Sequence, residues 1–179
     1  MLEFIKNIFR RKFIRKTAGK STSGLLPLSA IRSATVIMDA EDTGCEACKS
    51  KVEAFCKANG IKLTVWFFDF AGKGEDERQT TSLDRTLLKK DLNWWGRPGM
   101  ETIKTFSTES PDMLISLIDN SHFPIDCIAK CSAARFKIGR KQLKGRTFDL
   151  VIGDSPSQSF SQEEAFVEIT RYLDTIRYT

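Results

Sequence analysis

Strand-like and helix-like segments alternate along most of the chain, which predicts an α/β fold: a single Rossmann-like sandwich with a mostly parallel sheet. Three observations lead there. Short apolar runs such as SATVIMDA, LTVWFFDF and MLISLI are strand-sized and bounded by polar stretches. Helical patterns with their own start and stop signals fall between them. The chain has 179 residues, 41% hydrophobic and 28% charged, enough for one core of ordinary size and cramped for two.

The elements follow in order. MLEFIKNIFRRKFIRK spaces Leu2, Ile5, Ile8, Phe9 and Phe13 as on one side of a helix, so residues 1–20 are expected to be a basic amphipathic helix. Residues 21–32, within TAGKSTSGLLPLS, are a Gly/Ser/Thr linker that would let this arm move. The α/β domain then occupies 33–179. Within it, 33–40 predicts a strand, 45–60 a helix ended by Asn59-Gly60, and 61–70 a second strand. AGKGEDERQTTS is a polar loop, TLLKKDLNWWGRPG has no clear assignment, and ETIKTF (101–106) is expected to be a short strand. MLISLIDN is a buried strand, and FPIDCIAKCSAA is a helix opened by Pro124. RFKIG and TFDLVIGD are further strands. QEEAFVEITRYLDTI closes the chain as a helix, with Ser161 and Glu164 spaced for a capping box.

Charge is concentrated rather than spread. The net charge is +5, yet residues 1–20 carry Lys6, Arg10, Arg11, Lys12, Arg15, Lys16 and Lys20 against Glu3 alone, and the remainder is balanced. Such a helix can lie on an anionic membrane surface, bind nucleic acid, or pack on its own domain with its charges outward. Of the outside partners, the membrane is favoured over nucleic acid, and a protein partner is a further candidate. No apolar run reaches bilayer-spanning length. The basic, interrupted start lacks the apolar core of a secretory signal, and five cysteines cannot all pair, so a cytoplasmic protein, peripheral at the inner membrane, is expected.

Several residue groups could carry chemistry. Cys45-Glu46-Ala47-Cys48 stands between a strand and a helix, where a helix N-terminus would favour a thiolate at Cys45 with Cys48 as its resolving partner. Over residues 33–70 this order resembles the opening of the thioredoxin family, which implies thiol–disulfide exchange. Cys45 and Cys48 with Cys127 and Cys131 would make four thiols, but the CxxxC spacing of the second pair points to core packing, and no metal is expected. Asp39, Asp69, Asp119 and Asp154 each follow a strand pattern; in a parallel sheet they would gather at the edge where α/β folds place ligands, or simply cap the next helices. Asp91, Trp94, Trp95 and Arg97 in DLNWWGRPG could stack on a ring, with one tryptophan expected in the core and one at an edge. His122 is the only histidine. No GxxxxGK[ST], GxGxxG or GxSxG spacing occurs, so no cofactor is implied.

Asp91, Asn93 and Gly96, then Ser132, Ala133 and Gly139, then Asp149, Leu150 and Ile152 resemble a family of small uncharacterised proteins of Bacteroidetes-type bacteria, a domain of unknown function. The resemblance implies a bacterial cytoplasmic protein and no particular chemistry. Residues 113–140 also resemble the strand, helix, strand unit of heptosyltransferase-type glycosyltransferases, which implies a Rossmann-like unit. The expected role is therefore non-catalytic binding or adaptor work at a membrane surface. The alternatives are a thiol oxidoreductase and a small-ligand-binding or degenerate transferase domain.

Overall fold

Side chains along a strand alternate between faces, and in SATVIMD both sets are apolar: Val36 and Met38 enter one core, Ile37 the other. A strand buried on both faces belongs inside a parallel sheet covered by helices on each side. The computed structural model describes residues 1–18, 23–70, 85–153 and 159–176. Its strands are β1 (Ser33–Asp39), β2 (Lys62–Asp69), β3 (Thr86–Leu88), β4 (Met113–Ser116), β5 (Phe136–Gly139) and β6 (Leu150–Val151). They form one sheet in the order β3-β2-β1-β4-β5-β6, every pairing parallel. The winding reverses between β1 and β4, where Ile37 stands opposite Ser116.

Among the described residues five α-helices accompany it: α1 (Leu2–Thr17), α2 (Cys45–Ala58), α3 (Met100–Thr108), α4 (Phe123–Cys131) and α5 (Gln162–Thr175). Val52 and Cys56 of α2 and Phe166, Ile169 and Leu173 of α5 close one face over Val36, Met38 and Phe67. Ile103 and Phe106 of α3 and Ile125 and Ile128 of α4 close the other over Ile37, Trp66 and Leu114. α1 lies outside this second layer, against α4. At the start of α5 the capping box forms as expected: Ser161 Oγ accepts from the Glu164 amide at 3.1 Å, and the Ser161 amide donates to Glu164 Oε2 at 2.8 Å.

Some expectations change. Residues 101–106 are helical, part of α3, because Ile103 and Phe106 are three apart and bury together; over six residues that spacing is hard to tell from alternation. β4 ends at Ser116, so Asp119 sits in the loop beyond it. β6 is only Leu150–Val151, and Phe148 before it packs over Gly139, where a Cβ would come within 2.4 Å of its ring. The segment before β1 is tied down: Ser23 Oγ donates to Asp149 Oδ1 at 3.0 Å, the Gly24 amide donates to the Arg135 carbonyl, and Ile31 is fully buried. The arm in front of it is docked.

Candidate functional site

The loop between β3 and α3 is built by the residues that suggested a family. Asp91 closes the short helical turn Lys89–Asp91 by accepting from the Leu88 amide at 2.8 Å. Asn93 Oδ1 accepts from the amides of Trp95 (3.2 Å) and Arg97 (2.8 Å), and the Asn93 carbonyl accepts from Gly96. Gly96 has φ 87, a conformation that disfavours any side chain. Each of the three thus shapes the turn that presents the tryptophans. The other resemblance residues are scaffold too. Ser132 accepts from the Ala134 amide just past α4, and Asp149 accepts from the Lys137 amide at 2.9 Å to hold the β6 edge.

This loop is the seat of α1. Trp95 is buried, its ring 5.7 Å from Phe13, 6.3 Å from Phe9 and 5.7 Å from Phe123. Arg10 Nε donates to the Trp95 carbonyl at 2.8 Å, and the Arg10 guanidinium lies over Phe123. Arg97 lies over Phe13 and Trp95 at 5.2 and 5.6 Å, a cation–π clamp rather than a group offered to solvent. Lys6 pairs with Glu3 at 2.9 Å. Lys6 and Arg10 thus lie on the half-buried side of α1, whereas Arg11, Lys12, Arg15 and Lys16 are exposed and meet no carboxylate among the described residues.

The other side of α1 is unusual. Leu2, Phe4, Ile5, Ile8 and Phe9 stay exposed, Phe4 by 70% and Ile8 by 51%. Trp94, 57% exposed, meets the Phe9 ring edge-on at 5.6 Å and extends the apolar patch onto the domain. Along the helix axis this apolar end gives way to the four exposed cations. The tryptophan pair therefore divides as expected, Trp95 inside and Trp94 at the edge.

The strand-end acids reach one side of the sheet. Asp39 ends β1, Asp69 ends β2, and Asp119 follows β4; Asp154 lies outside the described residues. Burial and then the charges of Glu41, Asp42 and Asp119 push the Asp39 carboxyl up, even though Oδ1 accepts from the Glu41 amide at 2.9 Å. Asp42, which drew no notice in the sequence, accepts from the Gly44 amide at the head of α2. Fully buried Gln162 grips the Asp39 backbone, accepting from its amide at 3.2 Å and donating to its carbonyl at 3.0 Å. Gln162 was detectable only as the neighbour of the capping box. No group of three or more metal-ligating side chains is assembled among the described residues.

The cysteines divide between the two cores. Cys45, Cys48 and Cys56 lie with α2 and α5; Cys127 and Cys131 lie across the sheet, so no four-thiol site can form. Burial first, then the charges of Glu46 and Asp42, push the Cys45 thiol up to about 11. Burial and Cys45 push Cys48 up to about 12. The helix N-terminus at Cys45 is thus outweighed, and both thiols rest protonated at neutral pH. In the second pair Cys127 is the poorer acid: its hydrogen bond to Cys131, and then burial, raise it, and that same bond lowers Cys131. The Cys131 thiol donates to Thr17 Oγ1 at 3.5 Å, so the last turn of α1 covers it.

The sheet is parallel in all six strands, where the thioredoxin fold needs an antiparallel pair. No helix among the described residues is long and apolar enough to cross a membrane. No curated protein matches the chain, and no solved structure does. The model of a family of unknown function, DUF6913, matches residues 5–176, nearly the whole length over which α1, its seat and the sheet are laid out; the chain belongs to the DUF6913 family.

Proposed function

We propose that the chain is a non-catalytic binding or adaptor protein that seats on an anionic lipid surface, at the inner face of the membrane, through the outward side of α1 and Trp94. One observation carries this reading. α1 packs on its domain through Arg10, Phe13, Ile14 and Thr17, yet leaves Phe4, Ile5, Ile8 and Trp94 in solvent beside Arg11, Lys12, Arg15 and Lys16. A helix packed only for stability would turn its apolar residues inward. An exposed apolar end, an interfacial tryptophan and an adjoining basic stretch suit the boundary between acyl chains and anionic headgroups.

Each Lys or Arg near an anionic surface contributes about 1 kcal/mol, so the four exposed cations supply about 4 kcal/mol, roughly a thousandfold in partitioning at low salt. Sedimentation with phosphatidylserine vesicles measures this. Wild-type protein is expected to pellet, and the variant with Arg11, Lys12, Arg15 and Lys16 all changed to Glu is expected to stay in solution with its melting temperature unchanged. Deleting α1 is a poorer test, because it would also strip the cover from Trp95 and Phe123. Equal pelleting of both proteins, or of neither, sinks the reading.

A further inference from the structure

Arg10 of α1, Phe70 just past β2, the loop between β3 and α3 and the segment leading from β4 into α4 line an open cavity of about 520 Å³. That lies within the range of small-molecule sites, roughly 300–1,000 Å³, and the cavity opens beyond the carboxyl ends of parallel strands, where open α/β sheets bind their ligands. Its walls divide by chemistry. Phe70, Leu92 and Phe123 form an apolar side, while Arg10, Lys89 and His122 bring basic groups from three different elements. No carboxylate among the described residues lines it.

The basic groups have capacity to spare. Lys89 is exposed and makes no ion pair among the described residues. Arg10 spends Nε on the Trp95 carbonyl and Nη1 on Glu3 and Asn7, while Nη2 lies beside Gly96, 3.4 Å from where a Cβ would stand, with no hydrogen bond among the described residues. The third basic group, His122, is the N-cap of α4, so the positive end of that nine-residue helix faces the same way. We infer that this cavity binds an organic phosphate, its phosphoryl oxygens toward Arg10, Lys89 and His122 and its apolar or ring portion against Phe70, Leu92 and Phe123. The ammonium, the one free guanidinium nitrogen Nη2 and the positive end of α4 all favour a multiply charged oxyanion. The apolar wall favours one that carries a body.

The site does not depend on the membrane reading, and it is tested without vesicles. Isothermal titration of the full chain uses three probes: ADP, dioctanoyl phosphatidic acid below its micelle concentration, and inorganic phosphate. Saturable one-to-one binding of ADP or of the phosphatidic acid is expected, with inorganic phosphate at least about tenfold weaker because it reaches only one wall. Lys89→Glu, at an exposed position, is expected to leave the melting temperature unchanged and to weaken the bound probe at least about tenfold, the loss of one charge-assisted bond. ADP binding assigns the site to free nucleotides, phosphatidic acid binding assigns it to a lipid headgroup, and binding of both supports the shared chemistry. Failure of both to bind at millimolar concentration, or binding indifferent to Lys89→Glu, overturns the assignment.

Discussion

Phe13→Ala should release α1 from the domain without unfolding the sheet. α1 contains no fully buried residue, so its attachment rests on a few half-buried groups, of which Phe13 is the centre. Its ring touches Trp95 and receives the Arg97 guanidinium. Truncating a fully buried phenylalanine costs about 3–5 kcal/mol, and at this half-buried position roughly half of that, about 2 kcal/mol, is expected. The equilibrium between docked and released α1 would then shift about thirtyfold toward release. Cys131 reports it, because α1 covers its sulfur through Thr17. Under native conditions, alkylation followed by peptide mass spectrometry should show Cys131 reacting about thirtyfold faster in the variant. Cys56, buried on the opposite face of the sheet, should not change. Equal acceleration of Cys131 and Cys56 would mean global unfolding, and no acceleration of Cys131 would mean that α1 is not its cover; either refutes the reasoning.

Two other predictions come from single contacts. Gly139→Ala places a methyl within 2.4 Å of the Phe148 ring and should destabilise the fold by about 1–3 kcal/mol, read as a lower melting temperature; Phe148→Leu in the same chain should recover part of the loss. Cys45 and Cys48 should alkylate slowly at neutral pH, with rates still rising beyond pH 10, because burial favours their protonated forms. A thiol in this pair that titrates below about 8.5 would instead restore the dithiol reading.

The layered α/β architecture was legible because its strands are continuous apolar runs and its helices carry caps, as at Ser161 and Pro124. The helical start of the chain was legible from the spacing of Leu2, Ile5 and Phe9, but the side that packs was not. Spacing identifies an apolar face, and here much of that face stays in solvent while Arg10, Phe13 and Thr17 make the contacts. The seat itself was hidden because Trp95, Phe123 and Phe13 are far apart in sequence. Gln162 was missed for a similar reason: its partner is the backbone of Asp39, and no motif encodes a hydrogen bond to a distant main chain. At CxxC the local pattern and the surroundings pull in opposite directions. The local pattern suggests an activated thiol, whereas the surrounding core and the nearby carboxylates make both cysteines weaker acids.

Whether the apolar end of α1 and Trp94 enter a lipid surface is read by tryptophan fluorescence with brominated acyl chains in phosphatidylserine vesicles. Trp66 and Trp95 are buried, so Trp94 dominates any response to the lipid. A blue shift and quenching are expected on adding vesicles, both lost in Trp94→Phe and both weakened by salt. Emission that does not change with vesicles, or quenching that persists in Trp94→Phe, would contradict such entry.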